Sequence, residues 1–136
     1  NGSQVRAFSY VDDSLIPFWN ASQKDECVGE IINLGGIHEV SIQEACDTLL
    51  KVTGTDLLPE YHEMRHEAHY AYSTWDKSVR MLGFEHKTNL EDGLTKMWEW
   101  AQTQPNRDRF VWKNYEIDKG IYSYWKNEED SNSTSI

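Results

Sequence analysis

The chain is expected to form an α/β fold, more exactly a small α+β-like lobe, and three observations lead there. Two segments open on a helix-capping box and then carry apolar residues at helical spacing. Short apolar runs bounded by glycine or proline lie before and between them, as strands do. At 136 residues with 38% hydrophobic content, the chain suits one domain with a real core.

In chain order, residues 5–11, "VRAFSYV", alternate Val5, Ala7, Ser9 and Val11 on one face with Arg6, Phe8 and Tyr10 on the other, a strand pattern. Asp12 and Asp13 then cap a helix through "SLIPFWNAS", whose start Pro17 confines or kinks. "GEIINLGG" (29–36) reads as a buried strand. Ser41-Ile42-Gln43-Glu44 is a capping box. Ile42, Ala45, Cys46, Leu49 and Leu50 form the stripe behind it, and Gly54 ends the helix. "DLLPEY" (56–61) is a candidate strand that Pro59 limits to an edge or a start. "WDKSVRML" (75–82) predicts a short helix with Val79 and Leu82 inward and Gly83 at its end. A second capping box, Thr88-Asn89-Leu90-Glu91, starts a helix with Leu90, Leu94, Met97, Trp98 and Ala101 in its stripe. Residues 110–117, "FVWKNYEI", read as a strand or extended arm. From Asn127 onward Glu, Asp, Ser and Asn predict disorder, which divides the chain into a lobe at 4–126 and a polar tail at 127–136.

Net charge is −10, so direct DNA or RNA binding is not expected. No apolar run approaches a membrane span and no signal peptide is visible; a cytoplasmic protein without membrane contact is the expectation. Two cysteines, Cys27 and Cys46, are too few for a disulfide scaffold, and Cys46 reads as a buried free thiol. Six Trp and seven Tyr must be packed or placed at an interface. Asn20-Ala21-Ser22 and Asn132-Ser133-Thr134 fit the glycosylation sequon, a match that chance often produces.

Several motifs carry chemistry. His62-Glu63-Met64-Arg65-His66 matches H-E-x-x-H. On a helix, two histidines four apart share a face and bind Zn²⁺ while the glutamate serves as base, so a small zinc hydrolase using His62, Glu63 and His66 is the enzyme alternative. The context opposes it: Pro59 stands just upstream, Arg65 puts a permanent positive charge between the ligands, and His69 breaks the longer metzincin spacing. No metal is expected. Tyr122 and Lys126 fit Y-x-x-x-K, the proton-moving pair of short-chain dehydrogenases, but no G-x-x-G-x-x-G turn precedes them, and an aromatic clamp is the preferred reading. Asp12-Asp13 suits a helix cap better than a metal. Arg6 and Arg65 sit among aromatics, where a guanidinium pairs with a carboxylate or grips a phosphate through its planar fork.

A family resemblance joins these pieces. "VRAFSYVDD" (5–13) resembles the R-x-F-x-Y-V-D-D segment of the NAD-dependent epimerase/dehydratase family, the extended short-chain dehydrogenases that act on nucleotide sugars. "EIINLGG" (30–36) is similar to its N-[IVL]-G strand, and "VSIQEACDTLLKVTG" (40–54) to the helix after it. "RHEAHYAYSTWDKSVRMLGF" (65–84) resembles R-x-G-E-V-x-x-x-x-A-D-x-x-K-x-x-x-x-L-G-[WFY]. "TNLEDGLTKMWEWA" (88–101) is similar to the closing helix with L-E-E-G-L. The segments occur in the family's order over about residues 4–104, and "YEIDKGIYSYW" resembles an ending found in some members. His66 stands where the family often has Gly, and Thr74 where it has Asp.

The resemblance implies the C-terminal substrate domain of such an enzyme without its Rossmann domain. It therefore implies a nucleotide-sugar-binding lobe that holds no cofactor and no catalytic residue and is inactive alone, with NAD(P) in the missing Rossmann half. Arg6 matches the family arginine that reaches the phosphates or ribose, and Arg65 the one that pairs with the pyrophosphate. The expected partners are the diphosphate of a nucleotide sugar and, over the face the Rossmann half would cover, either a second copy or a separate Rossmann-domain subunit. A third alternative is an interaction module that has kept the fold and lost the ligand.

Overall fold

The computed structural model describes residues 2–63 and 66–107. The chain divides into two compact units, Asn1–Pro59 with Ala68–Gln104, and Glu60–Glu67 with Pro105–Ile136. In the smaller unit the described residues are irregular, and His62 Nε2 lies 3.6 Å from Glu60 Oε1.

The larger unit holds β1 (Val5–Ala7), α1 (Val11–Gln23), β2 (Glu39–Ser41), α2 (Ile42–Thr53), β3 (Tyr70–Ala71), α3 (Asp76–Leu82) and α4 (Leu90–Gln102), with a 3₁₀ turn at Asp25–Cys27. The sheet order is β2-β1-β3. β1 runs antiparallel to β2, with Arg6 opposite Val40, and parallel to β3, with Arg6 opposite Ala71. α2 packs on α4 and α1 on α3. Among the described residues the buried hydrophobic core consists of Val40, Leu82 and Phe84, of which Phe84 is fully buried.

β1 is shorter than the alternation over 5–11 predicts. It stops at Ala7, Tyr10 takes the N-cap position, and the helix already begins at Val11. Asp12 and Asp13 lie in the first turn, where the positive end of the helix dipole favours them, rather than at the cap. Pro17 is inside α1 and buried. Two side chains from the end of α1 close the C-terminus of α3: Asn20 Nδ2 donates to Leu82 O at 2.8 Å and Lys24 Nζ to Met81 O. Carbonyls that a helix end leaves unpaired are thereby satisfied. The first sequon asparagine is thus engaged inside the fold.

Residues 29–36 are not the expected buried strand. Both edges of β1 are already taken, by β2 and β3, two short strands that carry no period to read. Val28 and Ile31 are exposed. Lys77 holds this segment to α3 through Glu30 Oε2 and, at 2.9 Å, Ile31 O. The candidate strand at 56–61 is also irregular; Leu57 and Leu58 face solvent and bury no surface to stabilise one.

α2 begins and ends as its sequence predicts. Ser41 Oγ accepts the Glu44 N–H at 3.0 Å, and Gly54 at φ 65° donates its N–H to Leu50 O. Ser41→Ala is expected to cost about 1 kcal/mol. Thermal unfolding should register this as a fall of several degrees, and an unchanged midpoint would show that the cap contributes nothing. Cys46 is half-buried rather than buried. α3 ends at Gly83, φ 69°, as expected. Leu82 points inward, but Val79 is exposed. Ser78 is the buried residue beside Leu82, donating its hydroxyl to Trp75 O at 2.8 Å.

α4 is capped one residue later than the box predicts. Asn89 Oδ1 accepts the Asp92 N–H at 2.8 Å, and Thr88 is buried outside the helix. Leu90 and Leu94 are half-buried, whereas Met97, Trp98 and Ala101 are exposed, so only the first half of the stripe is covered. No described helix is long and apolar enough to cross a membrane. The expectations for 110–117, for Tyr122 and Lys126, and for the tail at 127–136 lie outside the described residues.

Candidate functional site

A cleft of about 430 Å³ opens in the larger unit where the chain leaves β1, between β2, α2 and α4. Its apolar lining includes Phe8, Tyr10, Val40, Leu94 and Met97. Its polar lining includes His38, His86 and Thr48, with the carboxylates of Glu39, Glu44 and Glu91. Two of those carboxylates are already partnered: Glu91 by Lys51 at 2.7 Å, and Glu39 by the Tyr72 hydroxyl, whose own proton is held more tightly as a result. Tyr10 is packed against Gly93, and Lys96 Nζ lies 4.9 Å from the centre of its ring, a cation–π contact.

One carboxylate fixes the floor of this region. Asp13, in the first turn of α1, accepts the Thr88 N–H at 2.9 Å and the Lys87 N–H at 3.1 Å on Oδ2, and the Thr88 hydroxyl at 2.9 Å on Oδ1. Burial raises its pKa. The bonds from Thr88 and Lys87 outweigh that, and the group ends below its ordinary value of 3.8. Beside it, His86 Nδ1 accepts the Ile37 N–H at 3.3 Å, and the His86 ring meets the His38 ring edge-on with centroids 4.9 Å apart. Burial first, then the neighbouring His38, hold His86 below its ordinary 6.5, against the opposing pull of Asp13.

Arg6 is half-buried on β1. One of its guanidinium nitrogens, Nη1, donates to Val5 O at 2.7 Å and to His69 O at 3.3 Å, across to the chain entering β3. It is not among the residues that line the cleft. Arg65 lies outside the described residues. His62 and Glu63 are in irregular chain and His66 in a bend, so none of these described residues lies on the helix that H-E-x-x-H needs to aim both imidazoles at one metal. His69 belongs to the other unit, its ring edge-on to Tyr70 at 4.7 Å. The zinc reading is therefore unsupported.

The sequence hid two features of the site. Asp13 was legible as a helix residue, but its partners lie far along the chain, and Thr88 carried the misleading signal of a capping box. His38 and His86 have no spacing that marks them as a pair; the fold alone brings them together.

No family model matches the chain. A trifunctional UDP-glucose 4,6-dehydratase/UDP-4-keto-6-deoxy-D-glucose 3,5-epimerase/UDP-4-keto-L-rhamnose-reductase of Arabidopsis thaliana is 30% identical over 109 residues, 77% of this chain and 16% of that protein. A UDP-N-acetyl-alpha-D-glucosaminuronate decarboxylase of Bacillus cytotoxicus is 30% identical over 106 residues, 78% of this chain and 29% of the decarboxylase. The chain thus spans less than a third of the length of either relative. Among solved structures, the UDP-glucose 4-epimerase of Thermotoga maritima with UDP-glucose superposes with a TM-score of 0.68 and 28% identity, over 75% of this chain and 33% of the epimerase. The UDP-glucuronic acid 4-epimerase of Bacillus cereus with NAD gives 0.65 and 26%, over 75% and 32%.

Proposed function

The chain belongs, as a counterpart of their C-terminal part, to the NAD-dependent epimerases and dehydratases of the extended short-chain dehydrogenase type, and from this we propose that it is the nucleotide-sugar-binding lobe of such an enzyme. The observation that carries the proposal is the match of three quarters of the chain to one third of an epimerase that holds UDP-glucose. Arg6 and Arg65 are the residues we assign to the diphosphate. Two guanidinium forks can neutralise it and bond its oxygens in pairs.

The described residues do not form the strand–turn–helix site of a Rossmann fold. The sheet is three short strands of mixed direction, and no glycine-rich turn joins a strand to a helix as the pyrophosphate site of a Rossmann fold requires. We assign NAD(P), bound as NAD in the Bacillus cereus epimerase structure, and with it hydride transfer, to a Rossmann half, and propose no catalytic residue in this lobe. The exposed face of α1 supports a covering partner, either that half or a second copy: Val11, Leu15, Phe18 and Trp19 recur at helical spacing and all face solvent.

Calorimetric titration of UDP-glucose and of a GDP-sugar tests the reading. The wild-type chain is expected to bind one of them. Arg6→Ala and Arg65→Ala should each weaken that binding about tenfold or more, the effect of losing a charged hydrogen bond. A wild-type chain that binds neither would overturn the lobe assignment. Unaltered binding by both variants would overturn the assignment of the two arginines.

A further inference from the structure

Residues 36–38 bring His38 to the lining of the cleft, and an imidazole ties them to the 84–88 segment. Gly36 is wedged against the exit of β1, where a Cβ would stand 2.0 Å from Phe8 O. At the next residue the Ile37 N–H donates to His86 Nδ1, and at the one after it the His38 ring meets the His86 ring. Both imidazoles line the cleft. His86 can accept the Ile37 bond only with a lone pair on Nδ1, which means the neutral ring with its hydrogen on Nε2.

We propose that His38 and His86 form an acid-sensitive clasp, which holds residues 36–38 against the 84–88 segment and opens the cleft when the His86 imidazole takes up a proton. Protonation at Nδ1 replaces the acceptor with a donor that faces the Ile37 N–H. It also sets a positive ring against His38, 4.9 Å away. The charged groups facing His86 are His38 from the turn and Asp13 from α1. Asp13 attracts the charged ring, but both of its oxygens are bound to Thr88 and Lys87. Glu85 and Lys87, on either side of His86, pair with each other at 3.0 Å, and Glu39 of β2 is engaged by Tyr72. From α4, Glu91 is held by Lys51 and the nearest cap residue, Asn89, is uncharged. From α2, Glu44 lines the same cleft. Asp13 and a hydrogen bond to the Thr88 main chain favour the charged His86 ring, but burial and His38 outweigh them.

The direction of the effect follows from where the ring titrates. Burial and His38 hold the closed-state ring below 6.5, whereas a released ring titrates near that value. The clasp is therefore fully closed above 6.5 and weakens as the pH falls below it.

Hydrogen exchange of the Ile37 amide, expressed as a protection factor from about pH 7.5 to about pH 5, tests the clasp in the intact chain. Linkage to one proton predicts protection falling by up to about tenfold per pH unit below the released ring's value. His86→Asn keeps an acceptor near the Nδ1 position without a titrating group, so its protection should stay flat. His38→Gln removes the repulsion, so its protection should begin to fall at the same pH as the wild type's and should fall by less. Flat protection in the wild type, or an undiminished transition in His86→Asn, would overturn the proposal.

Discussion

Gly36→Ala is expected to lower the thermal midpoint of the larger unit by roughly 10 °C or more. The added methyl would stand 2.0 Å from Phe8 O, 2.6 Å from Phe8 C and 3.0 Å from Ala7 C. These are main-chain atoms of β1 and its exit and cannot rotate away as a side chain would. Overpacking costs about 1–3 kcal/mol where neighbours can adjust, and a clash with the central strand belongs at or above the top of that range. In a domain of this size each kilocalorie lowers the midpoint by about 4–8 °C. Gly29→Ala is the control. Gly29 has φ 77° but nothing within 4 Å of an added Cβ, so only backbone strain of about 1 kcal/mol opposes it. Equal, small losses in the two variants would show that the chain does not pass Phe8 so closely.

Asp13→Asn should cost about 2 kcal/mol at neutral pH, although it changes a single atom. The carboxylate accepts three hydrogen bonds, two of them from main-chain N–H groups on the same oxygen. An asparagine can keep one oxygen on the two N–H groups and turn its NH₂ to the Thr88 hydroxyl, but it replaces charge-assisted bonds with weaker neutral ones. The pH dependence separates this from a generic packing defect. The carboxyl of the folded chain titrates below 3.8, so its contribution is fully present above that value and is lost as the pH falls through the lower folded-state one. Urea unfolding at about pH 7, 5 and 3 should show wild type and variant converging at the acid end. Curves that stay parallel would mean that Asp13 does not act through its charge.

The helices were legible in the sequence where their ends carry local chemistry. Ser41 and Gly54 bracket α2, Gly83 ends α3, and an amide-bearing cap opens α4, because each bond runs between residues a few positions apart. The strands were not. β2 and β3 have three residues and two, and what makes them strands is the two edges of β1. "GEIINLGG" and "DLLPEY" have the composition of strands and find no free edge to join. At the site, the resemblance identified Arg6 as a residue of interest, and the structure adds that part of its fork holds the main chain together. The Asp13–Thr88 and His38–His86 contacts join positions far apart in the chain, and no local pattern encodes them.

The central strand consists of some of the first residues of the described chain, yet its neighbours arrive late. Val5 pairs with Ser41 on one side and with Tyr70 on the other. Closing the second pairing means bringing together ends separated by more than half of the described residues, and the chain loses that loop entropy before the contact returns any free energy. The packing of α2 on α4 closes a shorter span, from Thr53 to Leu90 at its nearest ends. Assembly of this unit should therefore be limited by the late capture of a three-residue strand, and loss of Val5–Ala7 alone would leave the sheet without its middle.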